Sequence, residues 1–495
     1  MDCFRRMLAA MVGGATAQRA GACALLAGAL GLIAWRPTAW AQNAPSSAFV
    51  APPVVRPIDW DKLTAEAADL LSRYIQVNTA ADQADGELRA ARLLREKFLA
   101  DGVPAVIWEP APGRAVLVAR LRGMAGGSKA LLLLTHMDVA PAGAAGWKQA
   151  PYSGAIRDGE VWGRGAILGK GPGVLGLMAM LAIKRSGLLL RRDIVFVAAA
   201  GGASPQAGGA QWLAARQAQE LSDVGYVLNE GPTIRRLRNG HLLYPVAVAA
   251  KGLIWLRVEA SGPEQEAAVA PAQSQVTRLL AALARLATYH PAPVLSELVV
   301  GFFRALAGGG AAPAEFKDLA AAFKNEQTKA SFLATPAYRA LVTSSVTPTV
   351  LSAGRQPNMI APEAYAELDC RLLPGQDPKK FLAEIEALIG DGGLKTKVLR
   401  TVPPTLSPDK SILMNAIGSV AWAEDHSEAV PTLSVHLSDT SYFREHGAVG
   451  YDFTPWEVSP ELARAARDAN ERVELKSLRG GIKRMVEILE FFGKT

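Results

Sequence analysis

A histidine and an aspartate, one residue apart, follow a short apolar run. His136 and Asp138 come directly after the run 131–135. A run of this kind predicts a buried strand, and in open α/β sheets ligands and catalytic groups collect at the carboxyl ends of strands. Asp138 is then placed to orient the imidazole. A core histidine beside a capping aspartate explains the pair equally well, so the pair alone does not identify a site.

The glycine-rich segment 163–171 is a second candidate, because it is similar to a phosphate-binding loop. It misses that pattern, since Arg164 stands where the first glycine belongs and Gly171 replaces the serine or threonine. A dinucleotide fingerprint needs an acidic residue about 20 positions later, and basic residues stand there instead. A glycine-rich turn that leads into a helix is the better interpretation.

Helices and strands alternate around these residues. The apolar periodicity predicts helices from about Asp59 and over 87–99 and 169–184, and buried strands at 115–119, 130–135 and 193–198. This order indicates an α/β domain of three layers with a mostly parallel sheet. After Lys251 the strands alternate apolar and polar residues, which is typical of a smaller α+β domain, and buried strands return after about 405. The segment 290–340 is Ala-rich and predicted to be helical.

The composition is that of a globular protein, with 495 residues of which 50% are hydrophobic and 20% are charged. The first 41 residues are typical of an export signal: Arg5, Arg6 and Arg19 precede the apolar run 22–35, and the tripeptide 39–41 fits a cleavage site. That run is shorter than the roughly 20 residues of a membrane span, so we expect no span after cleavage. Cleavage removes four Arg and one Asp and lowers the net charge from +7 to +4.

The sequence contains no cluster of basic residues of the kind that binds nucleic acids. Cys370 would be the only cysteine left, which excludes an internal disulfide.

Longer motifs surround His136, and together they resemble one known family. The motifs are 74–79, 131–141, Trp147, 150–152, 158–159, 163–166, 170–171, 209–213, 227–231, 348–354 with Asn358, 368–371, 438–444 and 470–472. In these residues and in their order the chain is similar to the aminoacylase, carboxypeptidase G and succinyl-diaminopimelate desuccinylase family of dinuclear-zinc exopeptidases and amidohydrolases. The resemblance implies a three-layer zinc-exopeptidase-like domain with a mostly parallel sheet, interrupted by an α+β lid of the dimerisation type. The expected boundaries are a signal peptide at 1–41, a linker at 42–56, the catalytic-type domain at 57–249 and 403–495, and the lid at 250–402.

The resemblance also implies a set of metal ligands, of which this chain keeps only part. His136 and Glu230 match two ligands of one zinc ion, and Asp138 matches the residue that orients the histidine. Other residues occupy the remaining metal-site positions. Leu168 is found where the family has the bridging Asp, and Arg467 is found where it has the last His. Gly201, Gly202 and Ala203 are found where the family has an Asp-Glu-Glu run that supplies the general base and a ligand. In the lid, Glu266 takes the place of the His that helps to stabilise the oxyanion. Because zinc needs about three or four ligands, we expect weak or absent zinc binding.

Two functions fit this pattern. The first is a family member that no longer hydrolyses and binds a peptide-like ligand, an N-acyl amino acid or a partner protein in the old cleft. The second is an active hydrolase of peptides or N-acyl amino acids with a reduced, mononuclear zinc site. Loss of the general base commonly costs about 10²–10⁴-fold in rate, which favours the first. A homodimer through the lid is a further expectation from the resemblance.

The residues that the resemblance assigns to substrate binding match the family better than the metal ligands do. The resemblance assigns Asn358 and Arg371, in the lid, to the scissile carbonyl and the carboxylate of the substrate. An alternative for Arg371 is an ion pair with Asp369 within the lid sheet. Asp452 replaces a family glycine, where its carboxylate would repel an acidic ligand or pair with Arg467. We further hypothesise that Arg467 points into the former metal site and forms a salt bridge with Glu230 or Asp138, because a guanidinium stays protonated and has five donors.

The export signal gives a direct prediction. The mature protein is expected in the periplasm or the medium, with cleavage after Ala41 because the small-residue site ends there. N-terminal sequencing of the exported protein should begin at Gln42. A cytoplasmic product that retains Asp2 would contradict this interpretation.

Overall fold

The computed structural model describes residues 55–124, 128–143, 145–201, 208–216, 221–466 and 468–495. The helices are α1 (Trp60–Gln76), α2 (Gly86–Ala100), α3 (Lys170–Ser186), α4 (Gly209–Ala215), α5 (Gln275–Ala287), α6 (Glu297–Gly308), α7 (Leu319–Ala322), α8 (Glu326–Ala334), α9 (Pro336–Val342), α10 (Pro378–Ile389), α11 (Ile412–Asp425), α12 (Thr440–Arg444), α13 (Pro460–Ala465) and α14 (Leu475–Lys494). Within these ranges, no helix combines the length and the hydropathy that a membrane crossing requires.

The strands follow the predicted alternation closely in the first part of the chain. They are β1 (Ala105–Ala111), β2 (Arg114–Leu121), β3 (Ala130–His136), β4 (Ile156–Arg157), β5 (Glu160–Trp162), β6 (Ile194–Ala199), β7 (Val224–Arg236), β8 (Leu242–Ala250), β9 (Gly252–Ser261), β10 (Gln265–Glu266), β11 (Ser345–Ala353), β12 (Met359–Ile360), β13 (Glu363–Leu372), β14 (Lys395–Val402), β15 (Thr405–Leu406), β16 (Ala429–Ser434), β17 (Val449–Glu457) and β18 (Arg472–Glu474).

The central sheet has the strand order β1-β2-β6-β3-β7-β17-β8-β15, and β16 pairs with β8. Its middle strands β6, β3, β7 and β17 are mutually parallel, whereas β1, β2 and β15 run antiparallel to their neighbours. The predicted α/β class with a mostly parallel sheet is therefore confirmed, with antiparallel strands at the edges. β3 ends at His136, whereas β7 continues to Arg236, and the parallel pairing of the two strands stops at Asn229, beside the end of β3.

Side chains of β3 show why the domain has three layers. Leu131 and Leu133 pack into one apolar cluster with helices α1, α2, α3 and α14, and Leu132 and Leu134 pack into another with α4 and α12. Successive side chains of a strand point to opposite faces. A continuous apolar run therefore needs helices on both faces, as the sequence predicted.

The segment 250–402 forms a separate antiparallel sheet with the strand order β11-β13-β9-β14. Every second residue of β13 is buried, against the apolar sides of α5 and α10. The two sheets are joined at two adjacent crossings, because β8 continues into β9 and β14 continues into β15. Helices α6–α9 lie between α5 and β11 and surround an aromatic cluster of Phe303, Phe316, Phe332 and Tyr338.

Candidate active site

His136, the last residue of β3, meets Glu230, which lies in the middle of β7 just beyond its pairing with β3. The imidazole Nε2 lies 2.7 Å from Glu230 Oε1. That oxygen is buried but accepts no hydrogen bond from the described residues, because it is not aligned with the N–H of the ring. The other carboxylate oxygen, Oε2, accepts a hydrogen bond from the Gly169 N–H at 2.7 Å. The parallel pairing of β3 with β7 thus brings together the two residues that the family resemblance assigned to one metal.

Asp138 contacts the opposite side of the imidazole. Its backbone oxygen lies 2.9 Å from His136 Nδ1, and its carboxylate Oδ1 lies 3.3 Å from the same atom. Both oxygens therefore fix the ring orientation, with the backbone oxygen the closer. Burial disfavours a charged ring, but Glu230 and Asp138 outweigh it and raise the pKa of His136 well above its ordinary value. The two carboxylates therefore favour the protonated form of His136.

The turn before α3 carries Leu168 beside this pair. Glu471, which is buried, accepts a hydrogen bond from the Ile167 N–H at 3.0 Å and forms an ion pair with Arg164 at 3.0 Å. Leu168 is half-buried and packs against the larger apolar cluster. At Gly169, which has a φ of +80°, an added Cβ would lie 3.0 Å from the imidazole Cε1. The turn therefore approaches His136 as a metal-site loop would, with an alkyl group in place of the carboxylate.

Arg114 occupies the space beside the loop where the family's general base belongs. A Cβ added to Gly201 would lie 2.1 Å from Arg114 Nη2, and Gly201 has a φ of +78°. The backbone conformation disfavours a side chain at position 201, whereas the Arg114 guanidinium is the end of a flexible side chain and could move aside. Glu87 lies against the same loop, where its Oε1 accepts the Gly201 N–H at 3.0 Å and its Oε2 is 3.2 Å from Arg114 Nε. Sequence reasoning missed both residues, since neither belongs to a motif.

Asp452 is buried beneath the site. Its Oδ1 accepts hydrogen bonds from Ser438 at 2.6 Å, Thr440 at 2.9 Å and Asn229 at 3.2 Å. Between the first two lies Asp439, whose pKa burial raises to about 6. The carboxylate that replaces a family glycine thus holds the start of α12 and the residue before Glu230. Its predicted pairing with Arg467 concerns a residue outside the described ranges.

Arg371 and Asn358 lie in the lid. The Nε and Nη2 of Arg371 bind the two carboxylate oxygens of Asp369 at 2.6 and 2.8 Å, and its Nη1 is buried with no partner among the described residues. Asn358 is exposed, and its backbone oxygen accepts a hydrogen bond from Ala267, next to Glu266. The structure brings Asn358 close to Glu266, and Arg371 forms the ion pair with Asp369 that was the alternative expected for it.

These residues do not fit a zinc site. His136 Nε2 and Glu230 Oε1 converge as two ligands of one ion would, but zinc needs about three or four. Among the residues that the structure describes, no three His, Cys, Asp or Glu side chains form a group that could hold a metal. Three positions of the expected mapping, Gly202, Ala203 and Arg467, lie outside the described residues, as does the predicted Arg467 salt bridge.

Comparison with known proteins supplies the family. Residues 132–490 match the family model described as "Peptidase family M20/M25/M40". The chain belongs to this peptidase family. The predicted resemblance is therefore confirmed, and the chain is a member of a zinc metallopeptidase family with hydrolase-like relatives.

Individual relatives agree with this assignment. The human N-fatty-acyl-amino acid synthase/hydrolase PM20D1 is 25% identical over 379 residues, which are 72% of this chain and 73% of that protein. The probable carboxypeptidase S-like 2 of Dictyostelium discoideum is 24% identical over 398 residues, 76% of this chain and 73% of that protein. The solved structure of the metallo-carboxypeptidase Sso-CP2 from Sulfolobus solfataricus has a TM-score of 0.68 at 20% identity and covers 86% of this chain and 99% of its own. It shares the fold of this M20 member.

The position of Glu87 predicts a pH effect on stability. Burial raises the pKa of this carboxyl to about 7, against an ordinary value of 4.5. Between these values the native state binds more protons than the unfolded state, so this group makes stability fall as the pH rises from about 4.5 to 7. Glu87→Gln should remove that fall. The free energy of unfolding of the variant minus that of the wild type should therefore be up to about 3 kcal/mol larger at pH 8 than at pH 4. Urea unfolding at both pH values measures it.

The exposed Glu461→Gln, which loses only a solvent-exposed partner of Arg472, serves as the control and should change stability little at either pH. An equal effect of Glu87→Gln on the free energy of unfolding at pH 4 and at pH 8 would show that burial does not raise the pKa of this carboxyl.

Proposed function

We propose that this chain is an exported M20-family protein that binds an N-acyl amino acid or a peptide-like ligand in the former catalytic cleft without hydrolysing it. The observation that carries the proposal is the direct 2.7 Å contact of His136 with Glu230, without a third donor among the described residues. Two donors are fewer than the three or four ligands that zinc needs. The proposal therefore includes no activation of water by a metal.

The residues at the positions of the family's general base and its neighbours support the same proposal. Positions 201, 202 and 203 carry Gly, Gly and Ala, none of which can take a proton from water. At position 201 the guanidinium of Arg114 fills the space of a side chain. A cation beside this loop would also hold a substitute base such as Glu87 in an ion pair. Restoring one carboxylate would therefore not restore the site.

The ligand class rests on the lid and on the relatives. Arg371 keeps a nitrogen without a partner among the described residues, and a guanidinium suits a carboxylate. One relative is a synthase/hydrolase of N-fatty-acyl-amino acids, and another is a carboxypeptidase-like protein. A small amide with a free carboxylate is the chemistry common to these observations.

The test combines binding and turnover on the mature protein. N-acetyl-L-leucine, N-lauroyl-L-leucine and the dipeptide Ala-Leu are titrated by calorimetry and assayed for hydrolysis with and without added zinc. We expect binding of at least one of them and no turnover above buffer. Arg371→Ala should weaken that binding about tenfold or more, because a hydrogen bond to a charged group contributes about 1.5–3 kcal/mol.

Arg257→Ala is the matched control, since this arginine also pairs with a carboxylate on the lid sheet, Glu367, and should leave the affinity unchanged. Zinc-dependent turnover that disappears in Glu230→Gln would contradict the proposal and establish the reduced mononuclear hydrolase instead. No binding of any of the three compounds would overturn the ligand class.

A further inference from the structure

The amino ends of β3 and β6 carry a surface that the candidate site does not use. His136 lies at the carboxyl end of β3, whereas this surface lies at the other end of the strand. Its centre is the segment 184–192, which runs from the last turn of α3 to the residues before β6. We call it the amino-edge surface and define it by this segment, Lys129 and the segments 55–56, 122–124 and 491–494.

Hydrogen bonds join these segments to one another. Backbone bonds of 2.7–2.8 Å connect the central segment to its neighbours, from Arg56 to Ser186, from Met124 to Leu190 and from Arg191 to Gly493. The side chain of Arg192 adds a hydrogen bond of 3.0 Å to the Lys129 backbone oxygen. Residues that are far apart in the chain therefore form one continuous surface.

The segments of the amino-edge surface carry only positively charged side chains. They contain eight Lys and Arg residues and no Asp or Glu. Four of the eight are already engaged, because Arg122, Arg185 and Lys494 pair with carboxylates outside the surface and Arg192 lies over two aromatic rings. The other four are exposed and form no ion pair within the described part of the chain: Arg56, Lys129, Lys184 and Arg191.

Exposed apolar side chains lie among these cations. Val55, Met124, Leu189 and Phe491 are 56%, 62%, 45% and 39% exposed. Exposed apolar side chains that stand alone are normal, but a group of them indicates a binding surface. Apolar side chains together with basic ones suit an anionic bilayer, because the apolar groups enter the headgroup region and the cations bind the lipid phosphates. A nucleic acid would attract the cations alone.

We infer that the amino-edge surface binds the surface of an anionic phospholipid membrane. Each Lys or Arg near such a membrane strengthens binding about fivefold, so the four unpaired cations together contribute roughly several hundredfold. β3 has 7 residues, so His136 stays about 20 Å from the bound lipid. The inference goes beyond the proposed function and does not depend on what the cleft binds.

Binding to lipid vesicles tests the inference. The mature protein is mixed with vesicles of phosphatidylcholine alone, or with about 30% phosphatidylglycerol, and the bound fraction is measured by flotation. We expect binding to the anionic vesicles only, at least tenfold weaker at about 0.5 M salt than at about 0.1 M, because salt screens exposed charges. Arg56→Gln/Lys184→Gln/Arg191→Gln should weaken the binding about a hundredfold.

Lys317→Gln/Lys324→Gln/Lys380→Gln is the matched control, because it removes the same charge from exposed lysines outside the amino-edge surface, and it should leave the binding nearly unchanged. Met124→Ser/Leu189→Ser should weaken binding at both salt concentrations, since the apolar contact is not screened. All these positions are exposed, and circular dichroism checks that each variant is folded.

Four results would each overturn the inference: equal binding to neutral vesicles, no binding to either kind, an equal loss in the two triple variants, or no effect of the apolar double variant. Binding of a DNA duplex as tight as that of anionic vesicles would assign the surface to nucleic acid instead. The vesicle assay contains no N-acyl amino acid or peptide, so failure of the proposed cleft ligand leaves its outcome unaffected.

Discussion

The contact between His136 and Glu230 is the interaction on which the candidate site depends. The parallel pairing of β3 with β7 brings the histidine at the end of β3 next to the glutamate within β7. In a metal site a third ligand would let an ion sit between them. Position 168, where the resemblance expects the bridging carboxylate, carries Leu, and the imidazole and the carboxylate lie 2.7 Å apart. Glu230 favours the protonated imidazole, because an unpaired charge in a desolvated site is costly.

Other features around the centre are consistent with this change. Leu168 packs on the apolar cluster, Arg114 fills the space beside Gly201, and Asp452 has its Oδ1 bound by three side chains. Leu168 and Asp452 stand at positions where the resemblance expects another residue, and Arg114 lies beside Gly201, which is a third such position.

Much of the fold could be predicted from the sequence. Continuous apolar runs such as 130–135 indicate strands that are buried on both faces, and alternating runs such as that of β13 indicate strands buried on one face. The motifs and their order indicated the family. His136 was placed by the apolar run that it follows, and Glu230 by the family resemblance. Arg114 and Glu87 could not be found, because nothing local links position 114 or 87 to position 201. The packing of helices α6–α9 on β8 and β16 was equally hidden, since these contacts join residues far apart in the chain.

The zinc content of the mature protein tests the central claim most directly. Purified protein is dialysed against zinc-free buffer and measured by elemental mass spectrometry. Two protein ligands without a third hold zinc weakly, so well under one zinc per chain should remain. Two zinc ions per chain that survive dialysis would contradict the ligand mapping and the loss of the metal centre together.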